Sequence, residues 1–92
     1  MPRRFQFNLV DPSVMAISPA AIGAMPATVA RHENVVPVSL VGGILTIAVE
    51  DTTDSELLEK LRFICNRQIE PVAASPNAIR CAVTRYYGHD VG

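Results

Sequence analysis

The chain has 92 residues and a formal net charge of −1, enough length for one domain with its own core but without the basic excess that a nucleic-acid-binding surface requires. Hydrophobic residues make up 49% and charged residues 18%, a globular composition and not a disordered one. Two cysteines are too few for the disulfide framework of a small secreted domain, so a cytoplasmic setting is the simplest expectation.

Residues 1–17 carry turn chemistry at Asp11-Pro12-Ser13 and scattered large apolar residues at Phe5, Phe7, Leu9, Val10, Val14 and Ile17. This reads as an extended lead-in that packs on a single domain spanning 18–88, with 89–92 as a tail. Arg3-Arg4 and the "AMPA" at 24–27 imitate a secretory signal, but Asn8, Asp11, Pro12, Ser13, Ser18 and Pro19 interrupt any apolar centre. No stretch approaches the roughly 20 apolar residues of a membrane helix, so direct membrane insertion is not expected. Ser18-Pro19 starts a helix, serine as cap and proline at the first helical position. Gly23 and Pro26 keep it short, and Pro26 opens a second helix that turns Val29 and Ala30 inward, leaves Arg31, His32 and Glu33 in water and exits at Asn34.

The run "VVPVSLVGGILTIAVEDTTD", residues 35–54, then predicts a hairpin turning at Gly42-Gly43. With that loop Leu40 faces Leu45, Val38 faces Ile47 and Val36 faces Val49, six apolar residues on one face. Val35, Pro37, Ser39 and Val41 with Ile44, Thr46, Ala48 and Glu50 form a smaller, more polar second face. Thr53-Asp54-Ser55-Glu56 fits a capping box, with Asp54 the alternative cap, before a helix over 53–65 whose inward stripe is Leu57, Leu58, Leu61, Ile64 and Cys65. A third strand follows at about 68–74, and Ser75-Pro76 starts a last helix with Ile79, Ala82, Val83, Tyr86 and Tyr87 inward, stopped by Gly88. Proline cannot donate to a ladder; Pro37 and Pro71 therefore place the first and third strands at the edges and the second in the centre. A strand, helix, strand crossover makes the third strand parallel to the second. The expectation is an α+β fold: a three-stranded mixed sheet, order 1-2-3, its first pair an antiparallel hairpin, with helices mainly on one face.

The chemistry-bearing residues do not assemble into an active site. Gly42-Gly43 is followed by a strand and no lysine, unlike a phosphate loop. Glu50, Asp51 and Asp54 do not match a calcium loop, and capping explains carboxylates at a helix start. His32 and His89 lack partners at metal-ligand spacing, Cys65 and Cys81 form no Cys-x-x-Cys pair, and no serine sits in a nucleophile elbow. Neither a metal nor a cofactor is expected. Cys65 reads as core filler, whereas Cys81 lies off the inward stripe. Arg62, Phe63, Arg67 and Arg85 remain as candidates for partner binding, because arginines near an aromatic can anchor a protein; a solvated helix surface is the plainer reading of any one of them.

The segment "MPATVARHENVVPVSLVGGILTIAVEDTTDSELLEKLRFICNRQIEPVAASPNAIRCAVTRYYG", residues 25–88, resembles the N-terminal domain of the type II secretion and type IV pilus assembly ATPases. The elements "VAR", "VVP", "LT-A", "D-TD", "LRF", "EPV-AS" and "YYG" stand in the family's order, and "FNLVDPSVMAISPAAIGAMP" fits the segment before them. The family's usual "DPTD" proline is Thr52 here. The resemblance implies a cytoplasmic, non-catalytic module at the front of a motor ATPase, peripheral to the inner membrane and docking to a platform protein there, with the ATPase domain downstream in the parent chain. "YYGHDVG" ends just past a helix stop, as a cut within a longer protein would. Related domains bind cyclic di-GMP through a repeated "RLG" motif. This sequence has no "RLG", and Arg3-Arg4 is not followed by leucine and glycine, which counts against the dinucleotide and leaves a cyclic di-GMP-responsive domain as the alternative.

Overall fold

Two Ser-Pro pairs start helices as their chemistry dictates. In the structure, a computed structural model that describes Pro12 and residues 16–88, Ser18 Oγ accepts the Ala21 N–H at 3.2 Å and Ser75 Oγ accepts the Ala78 N–H at 3.2 Å. These open α1, Pro19–Gly23, and α4, Pro76–Tyr87, each with proline in the first turn. Between them run α2, Ala27–Glu33; β1, Val36–Val41; β2, Ile44–Val49; α3, Ser55–Cys65; and β3, Gln68–Ala73. Asn34 and Asn66 end α2 and α3 in the left-handed region, at φ 55° and 54°, and asparagine tolerates that region better than most residues. Gly42 and Gly43, at φ 59° and 79°, form the hairpin turn, whose two positive φ values favour glycine. Of the expected lead-in, Phe5, Phe7, Leu9, Val10 and Val14 lie outside the described residues, as does the tail; Ile17 is buried.

The sheet has the expected order β1-β2-β3, β1 antiparallel and β3 parallel to β2. Its register departs from the simple hairpin. Leu40 faces Leu45 as expected, but Pro37 pairs with Ile47 and Val36 with Ala48, because the register shifts between Pro37 and Ser39. Val38 is the extra residue of a bulge. The expected pairs Val38–Ile47 and Val36–Val49 are therefore corrected. Proline at 37 has no N–H to give the ladder, and the bulge accommodates the break. Pro37 thereby joins Leu40, Leu45 and Ile47 on one face, and Val36 crosses to the face of Ala48.

That first face carries the core. Leu45, Ile47 and Val49 of the central strand are fully buried, together with Leu61 of α3 and Ile79 of α4, each worth about 1.5–3 kcal/mol in transfer from water. The other face is closed only where Val36 meets Ala48; Gln68 and Glu70 are exposed and Ser39, Ile44 and Thr46 half-buried. α1 packs on β1, α3 on β3, and α4 against both β1 and β2 as well as α2. The C-terminal turn of α4 is tied down by its tyrosines. Tyr87 donates its hydroxyl to the Ile22 carbonyl at 2.9 Å and the Met25 carbonyl at 3.3 Å, and the Tyr86 hydroxyl accepts the Ile17 N–H at 3.1 Å. No described helix is long and apolar enough to cross a membrane.

Candidate interaction surface

The acids that end the hairpin are absorbed by local structure. Asp51 accepts both the Thr53 N–H, at 2.9 Å, and the Thr53 hydroxyl, at 2.6 Å, and these two bonds hold its carboxyl below the usual carboxylate range. Asp54 is the cap of α3, accepting the Leu57 N–H at 3.1 Å. Of the two expected caps the structure takes Asp54; Thr53 spends its hydroxyl on Asp51, so the Thr53–Glu56 capping box is not made. Glu50 accepts from the Asn34 amide at 3.2 Å, and the same amide reaches the Pro76 carbonyl at 3.4 Å, which joins the ends of α2 and β2 to the start of α4. Among the described residues no group of three His, Cys, Asp or Glu is placed to hold a metal.

From that cap α3 runs with Leu61 fully buried and Leu57, Leu58 and Cys65 partly buried against the core. Burial pushes the Cys65 thiol up, in keeping with its reading as filler, while Cys81 is exposed. Ile64, expected on the same stripe, is instead 37% exposed. It lines a depression of about 630 Å³ with Thr28, Val29, Arg31, His32 and Glu33 of α2. Lys60 reaches across from α3 to Glu33 at 2.9 Å, and that bond raises its pKa. At about 100° of rotation per residue, Phe63 points almost directly away from Leu61. It is 87% exposed, the most exposed large hydrophobic among the described residues.

Around Phe63 the outer crest of α3 is divided by charge. Glu56 and Glu59 stand on its first half; Arg62 lies on the second, and Arg67 just past the Asn66 cap. Arg62 and Arg67 line one shallow depression of about 520 Å³ with Asn66 and Gln68. The structure thus brings Arg62 and Arg67 together at one depression, with the exposed Phe63 next along α3 from Arg62. Arg85 is set apart on α4, its guanidinium carbon 5.6 Å from the centroid of the Tyr86 ring. Neither glutamate was singled out for binding from the sequence: Glu56 was read into a capping box, and acids in the first turns of a helix already have a reason to be there in the macrodipole. Their placement beside an outward phenylalanine was the available signal.

Comparison with known proteins fits this fold. The MshEN domain matches residues 3–92. The type IV pilus assembly ATPase PilB of Myxococcus xanthus is 37% identical over 71 residues, which is 77% of this chain and 12% of that protein. The chain therefore spans only a small part of that relative's length. A solved structure of MshE with c-di-GMP superimposes with a TM-score of 0.77 at 24% identity, covering 88% of this chain and 59% of that one, a likeness of fold. The chain belongs to the MshEN domain family, the N-terminal domain of secretion and pilus assembly ATPases.

Proposed function

We propose that the chain is a non-catalytic interaction module which docks a type IV pilus or type II secretion ATPase to an inner-membrane platform protein on the cytoplasmic side, the ATPase domain following in the parent chain. The observation that carries this is Phe63, 87% exposed on a helix whose Leu57, Leu58 and Leu61 turn toward the core, and flanked in sequence by Arg62 and Arg67. An exposed aromatic between arginines matches the composition of interaction hot spots. Arg85, on another helix, would make at most an outlying contact. The test is binding of this chain to the purified cytoplasmic part of a platform protein by biolayer interferometry. Phe63→Ala should weaken the complex by roughly tenfold or more and Arg62→Glu with Arg67→Glu by a similar factor. Absence of binding by the unaltered chain refutes the docking function, and equal binding by the variants moves the contact off α3.

The second reading, a cyclic di-GMP-responsive domain, is favoured by the shared fold with MshE, which is seen with that ligand. The missing "RLG" motif counts against it. Calorimetric titration with cyclic di-GMP at micromolar concentrations decides: heat of binding supports a sensor, and a flat titration removes it.

A further inference from the structure

The crest of α3 is complementary to itself. Its acids, Glu56 and Glu59, stand on the first half of the helix, and its bases, Arg62 in the last turn and Arg67 just past the end, lie on either side of Phe63 in sequence. All five are exposed, and no ion pair among the described residues engages any of the four charged ones; the nearby Lys60 is committed to Glu33 of α2. We propose that this crest pairs antiparallel with the same crest of a second copy of the chain. This rests on reading the crest as an interaction surface and adds who occupies it when no other partner is bound.

The geometry follows from helix dimensions. In an antiparallel pair whose two-fold axis passes level with Leu61, position 59 of one helix stands opposite 63 of the other, and 56 opposite 66. Arg62 is then about 1.5 Å along the axis from the level of the partner's Glu59. Arg67, just past the C-cap, falls close to the partner's Glu56. The two Phe63 rings flank the axis, separated by about 6 Å of rise, within contact distance for aromatic side chains. Four Glu–Arg pairs and one aromatic pair form in a single isologous contact. A parallel arrangement would set acid against acid and base against base.

The contact is small. The 11 residues of α3 give a face about 16 Å long, too short to bury the roughly 800 Å² per partner of a stable interface. Self-association is therefore weak and becomes significant where copies are held close together. A protein seated on Phe63 displaces the second copy, so docking and self-pairing exclude one another.

Sedimentation equilibrium of the 92-residue chain from about 10 μM to 2 mM tests this without any platform protein, so its failure leaves the docking proposal untouched. The unaltered chain should show a monomer–dimer equilibrium that Phe63→Ala weakens roughly tenfold or more. A basic variant, Glu56→Lys with Glu59→Lys, and an acidic variant, Arg62→Glu with Arg67→Glu, should each remain monomeric alone, yet associate when mixed because every pair across the axis is again opposite in charge. A chain that stays monomeric throughout, a dimer insensitive to Phe63→Ala, or variants that ignore one another on mixing each overturns the proposal. The altered residues are exposed, and unchanged circular dichroism confirms that each variant is folded.

Discussion

Replacing Tyr87 by phenylalanine removes one oxygen atom and with it one of the ties that hold the end of α4 to the α1 segment. The hydroxyl donates to the carbonyls of Ile22, at 2.9 Å, and Met25, at 3.3 Å. The ring keeps its place, so the cost is that of one shared hydrogen bond, about 1 kcal/mol. In a domain of this size that lowers Tm by about 4–8 °C. A second signature follows from titration. Burial first, and the charge of nearby Cys65 second, push the Tyr87 phenol from its ordinary value near 10 up to about 12. A folded-state pKa above the unfolded one gives stability that is fully present below about pH 10 and is lost as pH rises toward 12. Phenylalanine has no such loss. The gap in Tm between the two proteins, measured by circular dichroism, should be widest at neutral pH and shrink between pH 10 and 11.5. Comparing the proteins at each pH cancels the lysines and cysteines that titrate in the same range. A variant with unchanged Tm at pH 7, or a gap constant through pH 11.5, would refute the hydroxyl's role as described.

The other predictions concern the scaffold and the crest. Asp54→Ala removes the cap of α3 and should cost about 1 kcal/mol, whereas Thr53→Ala should cost less than about 0.5; urea titrations giving the reverse order would restore Thr53 as the cap. Ile47→Asp places a carboxylate in the fully buried centre of the sheet, and at several kcal/mol it should abolish cooperative unfolding; a folded variant with a sharp melt contradicts the core as drawn. Asp51→Asn keeps an acceptor for Thr53 and should move Tm by no more than about 2 °C at pH 7. Because the carboxyl's pKa is lowered, any stabilisation it gives is present above its ordinary 3.8 and fades as pH falls below, so the Asn variant should show a slightly flatter acid limb in a Tm series. Phe63→Ala should leave Tm within about 2 °C, since the ring is 87% exposed; a larger fall would assign Phe63 to packing and withdraw the crest as a binding surface.

The outline of the fold was legible because its signals are local and agree with one another. Ser18-Pro19 and Ser75-Pro76 are cap-plus-proline pairs whose meaning hardly depends on tertiary context, and both serines bond as expected. The two prolines ordered the sheet through one physical fact, a missing N–H, and the central position of β2 follows. The same fact was applied too narrowly at Pro37. An edge strand can absorb a missing donor by leaving it toward solvent or by inserting a residue, and the sequence pattern is nearly the same for both. Val35 through Val38 are all buried, so hydrophobic alternation, which would have exposed the slip, was silent there.

The crest of α3 was half legible for a related reason. Periodicity identifies what a helix turns inward, because burial restricts those positions to a few side chains. The outward positions are chosen by water, by the macrodipole and by partners at once, and a single charged residue there does not say which. Phe63 is different, since none of the first two influences selects a large apolar ring. Once Leu57, Leu58 and Leu61 account for the inward face and Asp54 for the cap, the ring is left without a structural task in the folded monomer. Glu56, Glu59, Arg62 and Arg67 then gain meaning from their order about it: an acid half followed by a basic half that carries an apolar knob is a surface with a direction. A surface with a direction accepts a partner in one orientation, and for two identical helices that orientation is antiparallel.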